Sequence, residues 1–153
     1  MNDPLDKSRS VALFMNDFEV DAAAIAGRLR DVRLDFRQRG DPHGTQKIRS
    51  KNSLIVWLPF YACESWDKTV NALIEKVGGV ESLIFLLREV APVEAWVQIR
   101  APLNGSPYVE SAVLSSNLMA KLSTIGLEFQ VSVFDFDTNE PTHHPDPKVE
   151  TIS

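Results

Sequence analysis

The sequence predicts an α+β domain: a mainly antiparallel sheet with helices packed on one face, built on the ferredoxin-like strand-helix-strand-strand-helix-strand plan with an extra helix-strand unit. Three observations predict it. Apolar residues are set out as strands in five segments, around Val11, Val32, Leu54, Val93 and Leu127. The intervening stretches carry three-four apolar spacing, and Ser65 and Ser115 stand where helix caps belong. The second and third strand segments follow one another with no helix between them, as hairpin-like antiparallel neighbours do.

Val11 to Asn16 is apolar on both parities, with Val11, Leu13 and Met15 against Ala12 and Phe14, which reads as a strand covered on both faces. Asp17 or Asp21 then caps a short helix over about Val20 to Arg30, with Ile25 and Leu29 four apart. Gly27 weakens that helix by about 1 kcal/mol relative to Ala, so it depends on packing. Val32 to Gln38 alternates Val32, Leu34 and Phe36 with Arg33, Asp35 and Arg37, a half-buried strand with a charged wet face. Arg39 to Thr45 holds two glycines and a proline and is expected to be a loop rather than an element. Asn52 to Phe60 resumes strand character with Leu54, Val56 and Leu58 on one parity and Ile55 and Trp57 on the other, again as if covered on both sides.

Ser65 caps a helix from Trp66 that carries Val70, Leu73, Ile74 and Val77 and stops at Gly78-Gly79. A second helix runs from Val80 to Val90 with Leu83, Ile84, Leu86 and Leu87 as its apolar side, closed by Pro92. Val93, Ala95, Val97 and Ile99 then alternate with Glu94, Trp96, Gln98 and Arg100, so Trp96 and Arg100 share a polar strand face. Ser115 caps a helix with Leu118, Met119, Leu122 and Ile125 on its apolar stripe, ended by Gly126, and Leu127, Phe129, Val131 and Val133 alternate in the last strand. Most domains run to about 100–150 residues, so the 153 residues are read as one domain over residues 10–137, with disordered tails at 1–9 and 138–153.

The formal net charge of -5 is unevenly spread. Residues 28–51 hold eight basic groups (Arg28, Arg30, Arg33, Arg37, Arg39, Lys47, Arg49, Lys51) against Asp31, Asp35 and Asp41, while the rest of the chain is acidic. A nucleic-acid partner is not expected, because such binding rests on a domain that is basic as a whole. No apolar run approaches the ~18 residues of a membrane span, and the N-terminus has no secretory leader, so a cytoplasmic protein is expected.

No reactive constellation is legible. Cys63 has only His43, His143 and His144 as bases, with no spacing that joins them to it. Asp135, Asp137, Glu140, His143, His144 and Asp146 are metal-ligand types without the spacing of a metal site. Gly78-Gly79 follows a helix and has no lysine to complete a phosphate-binding loop. No catalytic residue, metal ligand or cofactor is assigned on this reading. Aromatic placement is the more informative signal, because Trp and Arg are enriched at interface hot spots. The candidate binding residues are Arg37, Arg39, Trp57, Trp96 and Arg100.

In the order of these motifs the chain resembles the uncharacterised bacterial family catalogued as domain of unknown function 4279. The resemblance is carried by Val11 to Leu29, the basic-glycine turn Arg37 to Gly40, the strand with Trp57, the helical stretch to Val90 and the segment Leu114 to Phe129, and spans about residues 10–137. It implies a small stand-alone protein, similar to some found near bacterial toxin immunity genes, and supplies no catalytic residues.

The expected function is a non-enzymatic binding module, of the kind an immunity protein uses to neutralise a protein partner such as a basic toxin, whose charge the net acidity would suit. The alternative is a small-molecule or anion-sensing domain that uses the basic segment from Arg37 to Lys51; the third is an enzyme without a recognisable motif. Homodimerisation through the wet sheet face is compatible with all three.

Overall fold

The computed structural model describes residues 5–43, 47–48, 50–61, 65–102 and 113–134. Along the chain these form β1 (Leu5–Phe18), α1 (Ala22–Ala26), β2 (Arg33–Arg37), β3 (Pro42–His43), β4 (Lys47–Ile48), β5 (Asn52–Tyr61), α2 (Trp66–Lys76), α3 (Val80–Val90), β6 (Glu94–Pro102), α4 (Ser116–Ile125) and β7 (Glu128–Phe134). The long strands and the helices follow in the predicted order. Residues 138–153 lie outside the described residues.

The long strands form a five-stranded sheet in the order β2-β5-β1-β6-β7. β1 is antiparallel to both β5 and β6, and β2 is antiparallel to β5. Counting only long strands, the order is second, third, first, fourth, fifth, so the first four make the ferredoxin-like arrangement. β7 is the added strand. It lies parallel to β6, a pairing that requires a crossover, and α4 supplies it.

The helix boundaries follow local chemistry. Ser65 Oγ accepts from the Lys68 amide at 3.1 Å and Ser115 Oγ from the Leu118 amide at 3.1 Å, each quenching an amide that the first helical turn leaves free. At the end of α2 the Gly79 amide donates to the Ile74 carbonyl and the Gly78 amide to that of Glu75, the paired bonds of a Schellman turn. Leu127 and Gly126 close α4 in the same way on Leu122 and Ser123. The Asp67 carboxylate accepts the Ser115 amide at 2.7 Å and Lys121 donates to Asn71 at 2.9 Å, so polar groups join the start of α2 to α4.

Register shows where the core sits. Val11, Leu13 and Met15 stand directly opposite Leu58, Val56 and Leu54 on one side and Ile99, Val97 and Ala95 on the other, so they share one face. Except for the partly buried Ala95 these are buried, and they join buried residues of all four helices in a single cluster that includes Ile25, Leu73, Leu83 and Leu122. Burial of each such side chain is worth about 1.5–3 kcal/mol. The helices therefore cover one face of the sheet.

Several expectations need correction. Residues 5–9, expected in a disordered tail, form the start of β1, where Leu5 and Asp6 pair with Tyr61 and Phe60 before a register shift. The helix expected over Val20 to Arg30 keeps only Ala22–Ala26, because Asp21 caps it and Gly27 ends it. The loop expected over Arg39 to Thr45 contains Pro42–His43, which pairs with Lys47–Ile48 in a small ribbon. Met119, placed on the apolar stripe of α4, is 45% exposed. The second apolar parity of β1 and β5, read as covered, faces away from the described helices, which lie on one side of the sheet as expected, and Phe14, Ile55 and Trp57 on it are half-buried.

At Gly78 the backbone has φ +110°, and an added Cβ would lie 2.8 Å from Ser82 Cβ. At Gly126 an added Cβ would meet nothing within 4 Å and only φ, at +86°, is unfavourable. Gly78→Ala is therefore expected to lower unfolding free energy by about 2 kcal/mol and Gly126→Ala by about 1 kcal/mol, both read from urea denaturation midpoints.

Candidate functional site

The sheet face opposite the helices carries an aromatic strip across its three central strands. Phe14 of β1 stands directly opposite Trp96 of β6, and their rings stack with centroids 4.8 Å apart and planes 4° from parallel. Trp57 of β5 meets the other side of Phe14 edge-on, with centroids 6.0 Å apart and an interplanar angle of 67°. Ile55 pairs with Phe14 from β5, completing the strip. Aromatic pairs of this kind contribute about 0.5–1.5 kcal/mol beyond area burial.

This strip is separate from the core. Phe14, Ile55, Trp57 and Trp96 are each half-buried, and none belongs to the helix-side cluster or packs against it. Ala12, flanked in register by Trp57 and Gln98, is buried yet also stands outside that cluster. The indole N–H of Trp96 is closed off from solvent with no acceptor among the described residues. A donor left in that state costs about 1–3 kcal/mol, and such groups in folded proteins call for an explanation.

Around the strip the same face is polar. Arg33, Asp35 and Arg37 line it on β2, Glu94, Gln98 and Arg100 on β6, and Glu128, Gln130 and Ser132 on β7. An apolar centre with a charged rim is the anatomy of a protein-docking surface.

The sequence-predicted site residues divide between this face and another region. Trp57, Trp96 and Arg100 share the face, and Arg37 lies at its β2 edge, where it pairs with Asp35 at 3.4 Å. Arg39 does not join them. It lies in the connection after β2, where its guanidinium faces Glu19 at 3.9 Å and its amide donates to the Asn52 side chain. Phe14, the centre of the strip, and Ile55 were not singled out from sequence; the apolar second parity of β1 and β5 was the available signal, but only register shows that these residues meet.

Near Arg39 a polar network ties the ends of β1, β2 and β5. Asn52 is 5% exposed, and its amide nitrogen donates to the Val20 carbonyl at 2.6 Å. Glu19 also pairs with Lys51 at 2.8 Å, and Gln38 donates to Asp21 at 2.6 Å and accepts the Ala22 amide at 3.1 Å. The hydrogen bond and charge of Lys51 hold the Glu19 carboxyl below its ordinary range, and Glu19 in turn raises the Lys51 ammonium. The Gln38 hydrogen bond lowers Asp21. Arg28 makes a two-pronged contact with Glu89, at 3.1 and 2.8 Å. Much of the basic segment is thus answered by carboxylates rather than gathered around a vacant anion site.

Among the described residues no three His, Cys, Asp or Glu side chains gather as metal ligands. Cys63, the His43 side chain and the acidic-histidine segment 135–146 lie outside the description. No helix among the described residues is long and apolar enough to cross a membrane. No family model, no curated protein and no solved structure matches the chain.

Asn52→Ala is expected to cost about 1–2 kcal/mol in urea unfolding, because it removes the buried side chain that accepts the Arg39 amide and donates to the Val20 carbonyl. The Glu19–Lys51 pair has a defined pH window. The lowered Glu19 adds stability above its unfolded value near 4.5, lost as pH falls through the folded pKa. The raised Lys51 adds stability below 10.5, lost as pH rises through its folded pKa. Glu19→Gln should therefore melt slightly below the wild type at pH 7, and the gap should narrow as pH falls below 4.5 and close once it passes the lowered folded pKa, as read by thermal circular dichroism.

Proposed function

We propose that the chain is a non-enzymatic protein-binding module that docks its partner on the sheet face that no described helix covers. The observation that carries this reading is the Trp57–Phe14–Trp96 strip, which uses large aromatic side chains where the helix-side core does not need them. Aromatic residues contribute disproportionately to protein interfaces because they bury much area with few rotatable bonds. The arginines on its margin supply polar contacts of the kind found at an interface rim.

On the resemblance to the domain of unknown function 4279 and on the net charge of -5, the reading extends to an immunity-type protein of the bacterial cytoplasm. Such a protein would neutralise a partner by covering it, and chemistry would not be required. The anion-sensing alternative is less favoured, because Arg28, Arg37, Arg39 and Lys51 each have a carboxylate partner.

Affinity capture from native lysate tests the docking face. The wild-type chain is expected to retain a protein that Trp96→Ala and Trp57→Ala lose by about tenfold or more, while Glu89→Ala, on a helix outside the face, retains it. Thermal melts of each variant establish that the fold persists. Equal recovery by all four chains would count against this surface.

A further inference from the structure

We propose that β7 is the seam of a homodimer, in which a second copy of this chain adds its own β7 antiparallel to the first and continues the sheet across a two-fold axis through Val131. This contact goes beyond the docking face proposed above and lies outside it. Among the described residues β7 has a neighbour on one edge only, β6, and β2 ends the sheet on the other side. The two end strands differ in chemistry. β2 is five residues long and Arg33, Asp35 and Arg37 are charged, a composition that discourages a further strand. β7, Glu128-Phe-Gln-Val-Ser-Val-Phe134, is seven residues long, has no charge after Glu128 and no proline or glycine, and its register with β6 runs unbroken. Such a strand is a template for pairing.

Apolar surface beside this edge extends from the strand to the helix above it. On the helix side of β7, Phe129 packs against the core, whereas Val131 and Val133 are 52% and 53% exposed. On α4, Lys121 reaches Asn71 of α2, which packs on β1 and β5, so that flank of α4 faces the middle of the sheet. A helix turns about 100° per residue, which puts Met119 on the opposite flank, in a row with Ser116 and Ser123. That flank overlooks the β7 edge, and the row on it carries no charge. Met119 is 45% exposed there.

The pattern of β7 matches itself. Residues directly opposite in an antiparallel pair share a face, and a two-fold axis through Val131, the midpoint of the strand, pairs all seven positions. Val131 then opposes its own equivalent and Phe129 opposes Val133 on the helix side, while Gln130 opposes Ser132 on the other face. Glu128 falls at the register of Phe134, which keeps the two Glu128 residues at opposite ends of the seam, about 20 Å apart. A foreign peptide strand would satisfy the edge and leave Met119 uncovered. A second copy brings its own α4: with strands about 4.8 Å apart, two helices that each cross over a β6–β7 pair come within the roughly 8–10 Å at which helices pack.

Sedimentation velocity of the full chain at about 1 to 200 μM spans the range in which modest interfaces dissociate. The expected species at the upper end has twice the 17.1 kDa chain mass. Val131→Lys and Val131→Glu, at an exposed position, should each weaken the dimer by about tenfold or more, because like charges then meet across the axis. An equimolar mixture of the two should restore it, since opposite charges then face each other. Phe85→Lys, at an exposed position of α3, should leave it unchanged, and thermal melts establish that each variant folds. A dimer indifferent to both Val131 substitutions, or one that the mixture fails to restore, overturns the seam. A monomer at every concentration overturns the second copy as occupant, and hydrogen exchange of the β7 amides then names the replacement: slow exchange assigns the edge to this chain's own residues, and fast exchange leaves it for a strand of another protein. Capture through the aromatic face is read separately with Trp96→Ala and does not depend on any of these results.

Discussion

β1 is hydrogen-bonded along both of its edges, and the rest of the molecule is arranged around that constraint. A strand with antiparallel neighbours on each side must present two faces, and here Val11, Leu13 and Met15 point one way while Ala12 and Phe14 point the other. All four helices gather over the first set. Their caps and Schellman turns set where each helix starts and stops, but the apolar row on β1, continued by Leu54, Val56 and Leu58 and by Val97 and Ile99, determines what they cover.

One-sided coverage leaves the second row to solve a different problem. Three aromatic side chains from adjacent strands pack against one another, and their mutual contact removes part of their surface from water with no covering helix among the described residues. That contact is incomplete. The Trp96 N–H, without an acceptor among the described residues, and the half-buried rings are features a folded chain retains at some cost to its own stability. Interfaces have this character, since the remaining burial is realised only when a partner arrives.

Polar chemistry follows the same division. Asn52 and its neighbours satisfy backbone groups at one end of the sheet, and the Asp67, Asn71 and Lys121 contacts join α2 to α4, so these groups hold elements together. The charges of the face opposite the described helices lie on strands whose position is already fixed by the sheet. Arg37 and Asp35 answer each other on β2, and which charged residues share a side of the face is a property of strand order alone.

Local patterns were legible in the sequence because they depend on near neighbours: the serine caps at Ser65 and Ser115, the glycine stops at Gly78 and Gly126, and the alternation that placed Trp96 and Arg100 on one face. The same patterns read Ala12, Phe14, Ile55 and Trp57 as covered, yet only Ala12 is buried and the other three are half-buried. An apolar second parity looks identical whether a helix layer or a neighbouring aromatic ring covers it. They also could not separate Arg37 from Arg39, two residues apart, of which one edges the sheet face and the other turns toward Glu19. The sequence by itself determined which segments become helix and strand, through hydrogen-bonding side chains and periodicity. Only the tertiary structure decided that Trp57, Phe14 and Trp96 become neighbours, because strand order and register arise from contacts between residues far apart in the chain.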